Sequence, residues 1–342
     1  MKHILTKLTK GEELTQEDVD YVVFGMKEEH LSDTQIAGFL MGLLMKGPTT
    51  AEVTAIARAM RQAAVHIKPR VQDGLTDTCG TGGGLTTFNV STANALVAAA
   101  GGVTIAKHGS RSISASSGSA DALEALGINI ELQPKQAEKL IEEAGFCFLY
   151  APYFHPVMLK VFGPEQELGI KTIFFTIIGP LINPADAKRH ILGVYKPELV
   201  EQVATAARDL GFDHALVVHG VDGLDEVSLI GETKVAEVEG GHIDYYTVTP
   251  EDFGMKRCTF DEVKGGDPTY NAQVIRDIFA GRESGPKRDM LLLNSAAAFV
   301  VGGKAENLSQ GLALAKATLD SGQATAKLEE IVSKSQALKK AN

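Results

Sequence analysis

The chain has 342 residues, with 33 basic and 43 acidic side chains and a formal net charge of −10. That acidic balance argues against a surface built to coat nucleic acid, and a hydrophobic content of 44 % is enough for a packed core, which excludes disorder as the main state. Three cysteines, Cys79, Cys147 and Cys258, are odd in number and lack C-x-x-C spacing, so neither a disulfide framework nor a structural zinc site is expected and a reducing cytoplasm fits best.

The first 65 or so residues read as short helices separated by capping signals. Thr15-Gln16-Glu17-Asp18 resembles a capping box, followed at helical spacing by Val19, Val22, Val23 and Met26. Ser32-Asp33-Thr34-Gln35 opens a second helix that Gly47-Pro48 stops, and Thr49-Thr50-Ala51-Glu52 opens a third. After Pro69, β-branched or apolar runs alternate with Ala-rich helices. Strands are predicted over Val103 to Ala106, Phe146 to Tyr150, His190 to Val194 and Ala215 to Val218. Helices are predicted over Thr92 to Ala100, Ala120 to Leu126, Gln136 to Glu143 and Glu198 to Leu210, and near the end over Met290 to Val301, Gln310 to Asp320 and Ala326 to Ala337. The expected fold is α/β: a small N-terminal helical domain, then a larger domain with a central, mostly parallel sheet surrounded by helices. The longest apolar stretch, Thr172 to Ile182, is broken by Gly179-Pro180 and falls well short of the roughly 20 residues a membrane helix needs. The opening MKHILTKLTKGEE has no apolar h-region followed by small residues, so no secretory signal is expected either.

Glycine, at 35 residues, exceeds the usual share of about 7 %, and its placement is informative. Asp77-Thr78-Cys79-Gly80-Thr81-Gly82-Gly83-Gly84 runs through Thr87 and Asn89 to Ser91-Thr92 and a helix. Glycines let backbone N–H groups approach an anion, and a helix start adds a positive dipole end, so the segment suits a phosphate or pyrophosphate. Alone it also reads as a tight strand-to-helix turn; Leu85 breaks the G-x-G-x-x-G pattern, no Walker lysine follows, and Cys79 reads as a small packed residue. The segment Lys107 to Ser119 brings two fixed cations and six serines after an apolar strand, again suited to phosphate against the alternative of a solvated serine loop. His219 to Glu226 ends in adjacent carboxylates, Asp225-Glu226, of the kind that hold Mg²⁺, though acidic loops are ordinary on an acidic chain. Ala151-Pro152-Tyr153-Phe154-His155-Pro156 and Gly179 to Ala185 offer apolar walls; His155 by itself reads equally as a structural histidine.

In this order, the GTGG loop, the NVST helix start, the KHG-x-R-S loop, A-P-x-x-H-P, G-P-L-x-N-P-A and H-G…D-E resemble the anthranilate phosphoribosyltransferase family over nearly the whole chain. The resemblance implies a cytoplasmic, homodimeric, Mg²⁺-dependent enzyme of tryptophan biosynthesis that moves the 5-phosphoribosyl group of phosphoribosyl pyrophosphate (PRPP) to the amine of anthranilate, with no nucleic-acid or membrane partner. It implies a helical domain of residues 1–68 joined by helices from about 155–190, and a PRPP-binding α/β domain of residues 69–342. Carried over position by position, Gly80, Gly83, Gly84, Thr87, Asn89, Ser91, Thr92, Lys107, Arg111, Ser114, Ala115 and Ser119 would hold PRPP. Ser91, Asp225 and Glu226 would hold the metal, and Lys107, Asp225 and Glu226 would carry catalysis. Gly80, His108, Ser110, His155 and Glu165 would face the aromatic amine.

Four positions depart from the family pattern. Gly84 stands where GTGGD has aspartate, in a loop one residue shorter; Ser110 replaces the asparagine of KHGNR; Phe175-Thr176 replaces F-N; and Glu165 stands where an arginine pairs with the anthranilate carboxylate. A carboxylate facing an anionic acceptor would repel it, and reversing Glu165 to arginine would then improve anthranilate use. Either another cation, Lys160 or Lys171, takes that role, or the acceptor of a related phosphoribosyltransferase is a different nitrogen compound.

Overall fold

The computed structural model describes residues 1–111 and 116–340. Four helices open the chain, α1 (Lys2–Thr9), α2 (Gln16–Lys27), α3 (Asp33–Lys46) and α4 (Thr50–Ala63). The last three start at complete capping boxes, Thr15 with Asp18, Ser32 with Gln35 and Thr49 with Glu52, as their sequences predict. Two of these acids do more than cap. The fully buried Glu52 accepts from Leu14 N at 2.9 Å, Thr49 N at 2.8 Å and Lys46 Nζ at 2.6 Å, so one carboxylate ties three stretches of chain. Asp18 accepts from Thr15 N at 3.0 Å and Lys7 Nζ at 2.5 Å, fastening α1 to the head of α2.

The rest of the chain builds the sheet and its cover. In order come β1 (Thr76–Thr78), α5 (Val90–Ala100), β2 (Ile105–Gly109), α6 (Ser119–Ala125), α7 (Pro134–Ala144) and β3 (Phe146–Tyr150). Then follow α8 (Ala151–Phe154), α9 (Pro156–Leu168), α10 (Ile178–Leu181), β4 (Arg189–Gly193), α11 (Leu199–Asp209) and β5 (His214–Gly220). The hairpin β6 (Thr233–Glu239) and β7 (His242–Val248) precedes α12 (Phe260–Val263), α13 (Pro268–Phe279), α14 (Pro286–Val301), α15 (Leu308–Asp320) and α16 (Gln323–Lys340). The seven strands run β3-β2-β1-β4-β5-β6-β7, parallel from β3 to β5 and antiparallel through the hairpin. The four strands anticipated from sequence sit within two or three residues of their predicted limits. β1 and the hairpin were not anticipated: β1 is three residues long, and β6 and β7 alternate around Gly240-Gly241, both at positive φ, a two-residue turn signal.

One apolar core fills the space between the sheet and α5, α7, α13, α14 and α16. A second lies among α1 to α4, α9 and α10 and reaches through α11 to the other face of β4, β5 and β6. Among the described residues, no helix is long and apolar enough to cross a membrane.

Burial works against the charge of Asp18, but Lys7 and the Thr15 hydrogen bonds outweigh it and bring its carboxyl down to about 2. A carboxyl depressed by folding stabilises above its unfolded range and loses that contribution as pH falls through its folded value. Asp18→Asn is therefore expected to cost about 2 kcal/mol in urea unfolding at pH 7. The gap between variant and parent should close as pH falls from about 4 to about 2; a gap independent of pH would contradict the assignment.

Candidate active site

Strand order reverses beside β1: β2 and β3 lie on one side, β4 and β5 on the other. Open α/β sheets bind ligands outside the carboxyl ends of the strands at such a point. Here the loops leaving β1, β2, β3 and β5 open into a cavity of about 540 Å³, closed opposite by α9, the 3₁₀ turn Ile173–Phe175 and α10.

The loop after β1 contributes Gly80 to Thr87, then Asn89 and Ser91. Gly82 and Gly83 hold φ of +60° and +90°. Gly80 is required by proximity, since a Cβ there would lie 2.6 Å from Asp225 Oδ2. Asp225 accepts from Gly82 N at 2.9 Å, and both oxygens of Glu226 accept from Thr87 Oγ1 at 3.0 Å, so the loop and the carboxylate pair fix one another. Both acids are partly open toward the cleft but deeply set in protein. Burial raises the Asp225 carboxyl despite the Gly82 hydrogen bond. Burial, then the neighbouring Asp225, pushes Glu226 up to about 8. Two carboxylates forced up together form a donor set that a divalent cation would relieve. At Gly84 a Cβ would meet Gly223 O at 2.4 Å; this tight crossing leaves no room for the aspartate of the family pattern.

Below the loop lies a buried network of which sequence reasoning named only Lys107 and His108 as site residues. Asp77 is fully buried; its Oδ1 accepts from Thr78 N at 2.7 Å and His108 N at 3.2 Å, and its Oδ2 from Asn183 Nδ2 at 2.7 Å. Asn183 also donates to Ala106 O at 2.7 Å. His190, opposite Asp77 in the β1–β4 register, accepts from Cys79 N at 3.2 Å through Nε2, and burial lowers it to about 3, so it is neutral. Lys107 is buried with its ammonium on Thr78 O at 2.7 Å. Burial raises the Asp77 carboxyl and lowers Lys107, and the attraction between them opposes both shifts. The available signals were Asp77 heading the glycine run and Asn183 in G-P-L-x-N-P-A. Burial raises the Cys79 thiol well above its ordinary range, consistent with a packed residue and not a nucleophile.

Asn89 is itself left-handed, at φ 63°, and precedes α5, which begins at Val90. Its Oδ1 accepts from Ser117 Oγ at 2.9 Å and Asn271 Nδ2 at 2.7 Å, joining the loops after β1 and β2. Ser110 and Ser119 line the cleft near each other, with Ser119 Oγ 3.4 Å from Ser110 O. Arg111 also lines it, but its guanidinium is held by Asp121 and Glu124 and lies 5.8 Å from the Tyr150 ring. Ser114 and Ala115 lie outside the described residues.

On the opposite wall, the His108 and His155 rings meet edge to face at 4.8 Å. Among the described residues, His108 Nε2 and both ring nitrogens of His155 have no hydrogen-bond partner. Burial lowers His108 to about 4 and His155 well below its ordinary range, so both rings are neutral. Phe162 and Phe175 pack edge to face at 6.0 Å beside them. Two expected residues are absent from the cleft lining. Thr92 is fully buried in the first turn of α5. Glu165 is buried and turned inward, where it accepts from Thr172 N at 2.9 Å and from the Thr172 hydroxyl; its carboxyl is raised by burial. Its carboxylate is thus taken up by Thr172 and is not part of the cleft lining.

Comparison with known proteins gives a consistent result. The glycosyl transferase family's helical bundle domain matches residues 2–64 and its a/b domain residues 72–325. Anthranilate phosphoribosyltransferases of Acetivibrio thermocellus and Haloarcula marismortui are each 46 % identical over 97 % of this chain and cover 96 % and 99 % of their own length. The crystal structure of the Thermus thermophilus enzyme superposes with a TM-score of 0.90 at 42 % identity, covering 97 % of this chain and 99 % of that one. The Saccharomyces cerevisiae enzyme in complex with PRPP and Mg superposes at 0.87 with 27 % identity, covering 98 % and 97 %.

With Glu165 bonded inward, reversing its charge buries a guanidinium against the donating Thr172 N–H, with no carboxylate among its Thr172 partners to compensate it. Glu165→Arg is thus expected to lower stability by about 3 kcal/mol and to leave anthranilate affinity no better. A variant as stable as the parent, with improved affinity, would return Glu165 to the cleft.

Proposed function

The chain belongs to the anthranilate phosphoribosyltransferase family, and from that premise we propose that this cleft transfers the 5-phosphoribosyl group of PRPP to the amine of anthranilate with release of pyrophosphate. The observation that carries the reading is the Asp225–Glu226 pair, held against the glycine loop by Gly82 N and Thr87 Oγ1. Breaking the anomeric C–O bond builds positive charge on the ribose and negative charge on the departing pyrophosphate. Catalysis then consists of neutralising the leaving group and holding the amine in line.

The residues support a division of that work. The pair would hold Mg²⁺, with the Ser91 hydroxyl on the same cleft wall; when bound, the ion neutralises phosphate charge as a Lewis acid. Gly80, Gly83, Gly84, Asn89 and Ser119 line the cleft and would surround the phosphates, the glycines through their backbone N–H groups. Lys107, bonded to Thr78 O, would add positive charge from beneath. His108 and His155, neutral and with unpartnered nitrogens, can accept from the amine and orient its lone pair. The anilinic amine is uncharged, so no strong general base is needed.

The family also implies a cytoplasmic homodimer joined through the helical domain, where Tyr21, Leu44 and Met45 are exposed. Sedimentation velocity at micromolar concentration should give twice the chain mass, and a monomer would refute the pairing.

Purified protein with PRPP and Mg²⁺ should consume anthranilate, followed by loss of its fluorescence. Asp225→Asn and Glu226→Gln should each lower kcat by on the order of a hundredfold with circular dichroism unchanged. PRPP binding without anthranilate loss would instead favour a different nitrogen acceptor.

A further inference from the structure

Because a glutamate, bonded inward to Thr172, stands where the family pattern has arginine, the carboxylate of an aromatic acid needs another cation. Of the cations near the cleft, Lys107 is buried on the Thr78 carbonyl beneath the glycine loop, and Arg111 is held by Asp121 and Glu124. Lys160 bonds Glu29 at 2.7 Å and is not part of the lining. Lys171 is different: its side chain is exposed on the cleft wall, in the turn between α9 and Ile173–Phe175. Among the described residues no carboxylate lies within ion-pair distance of it.

The turn that carries Lys171 is unusually well held. Gly169 ends α9 at φ 63°, and Ile170 N donates back to Glu165 O at 3.1 Å. Glu165 then receives both the N–H and the hydroxyl of Thr172, the residue next to Lys171. The Thr172 hydroxyl oxygen in turn accepts from Phe174 N at 3.4 Å, and Thr172 O accepts from Thr176 Oγ1 at 3.2 Å. A buried carboxylate therefore fixes the backbone on one side of Lys171, while Phe162, Phe175 and the two histidines line the wall beside it. One cation beside aromatic rings and two neutral imidazoles suits a flat aromatic amine bearing a carboxylate.

We propose that Lys171 binds the carboxylate of the acceptor, and that Glu165 acts from inside the protein as the positioning residue that holds the Lys171 turn. This rests on the anthranilate reading of the cleft. The positive charge of Lys171 also reaches Asp225 across the cleft. The alternative anion for it is thus the pyrophosphate of PRPP, and the two are separable by which substrate responds.

The test measures kcat and separate KM values for anthranilate and PRPP, with the anthranilate dissociation constant from its fluorescence. Lys171→Met is expected to raise the anthranilate KM and dissociation constant about tenfold and leave the PRPP KM within about twofold, while Lys171→Arg stays near the parent. Glu165→Gln, which keeps an acceptor oxygen, should also stay near the parent. Glu165→Ala should raise the anthranilate KM and add nothing further in the Lys171→Met background. If the parent turns over anthranilate but Lys171→Met leaves its KM unmoved, or moves the PRPP KM instead, the Lys171 assignment falls alone. A Glu165→Ala effect that adds in full to Lys171→Met overturns the positioning role. A parent that binds PRPP and ignores anthranilate overturns the enzyme reading and this proposal together.

Discussion

The buried carboxylate of Asp77 is the constraint on which the cleft depends. It sits at the middle of the shortest strand, where the strand order reverses, and gathers Thr78 N, His108 N and Asn183 Nδ2. A carboxylate out of water is costly unless its lone pairs are filled, and these three donors come from β1, from β2 and from the segment after α10. Satisfying one group thereby sets the relative position of the glycine loop, the Lys107–Arg111 loop and the G-P-L-x-N-P-A segment. Neutral His190, receiving Cys79 N, fixes the start of the glycine loop from the β4 side. Lys107 adds the opposing charge that makes a deep carboxylate tolerable.

Above this base, proximity and not length of contact shapes the phosphate side. Gly193 and Gly80 both lie so close to Asp225 that side chains at either position would displace it. Asp225 thus approaches the Gly82 N–H directly while Glu226 is held by the Thr87 hydroxyl, and burial makes two adjacent charges there unfavourable without a counterion. The site is electrostatically strained in the direction that a divalent cation relieves.

The acceptor wall follows a different logic. Its aromatic and imidazole surfaces are apolar or neutral, so selectivity for an acid must come from a sparse positive charge. An acidic side chain at the position of a family arginine looks from sequence like a lost specificity contact. In the fold it becomes an internal brace, because Pro164 within α9 and the left-handed Gly169 turn the chain so that Thr172 meets Glu165.

Much was legible in the amino-acid sequence alone. Capping boxes at Thr15, Ser32 and Thr49, the apolar run of β3 and the order of the glycine, serine and carboxylate loops rest on local chemistry, which a few neighbouring residues carry complete. They determined the α/β class, the helical start and the family. The three-residue β1 has too few side chains to show a period, and Asp77 looks like any residue before a glycine run until its partners, up to 106 positions away, close around it. Whether Glu165 faced the cleft, whether Thr92 reached it, and which lysine remained unpaired were decided only in three dimensions. Side-chain direction and burial depend on what distant segments pack against each position, and spacing along the chain does not encode that.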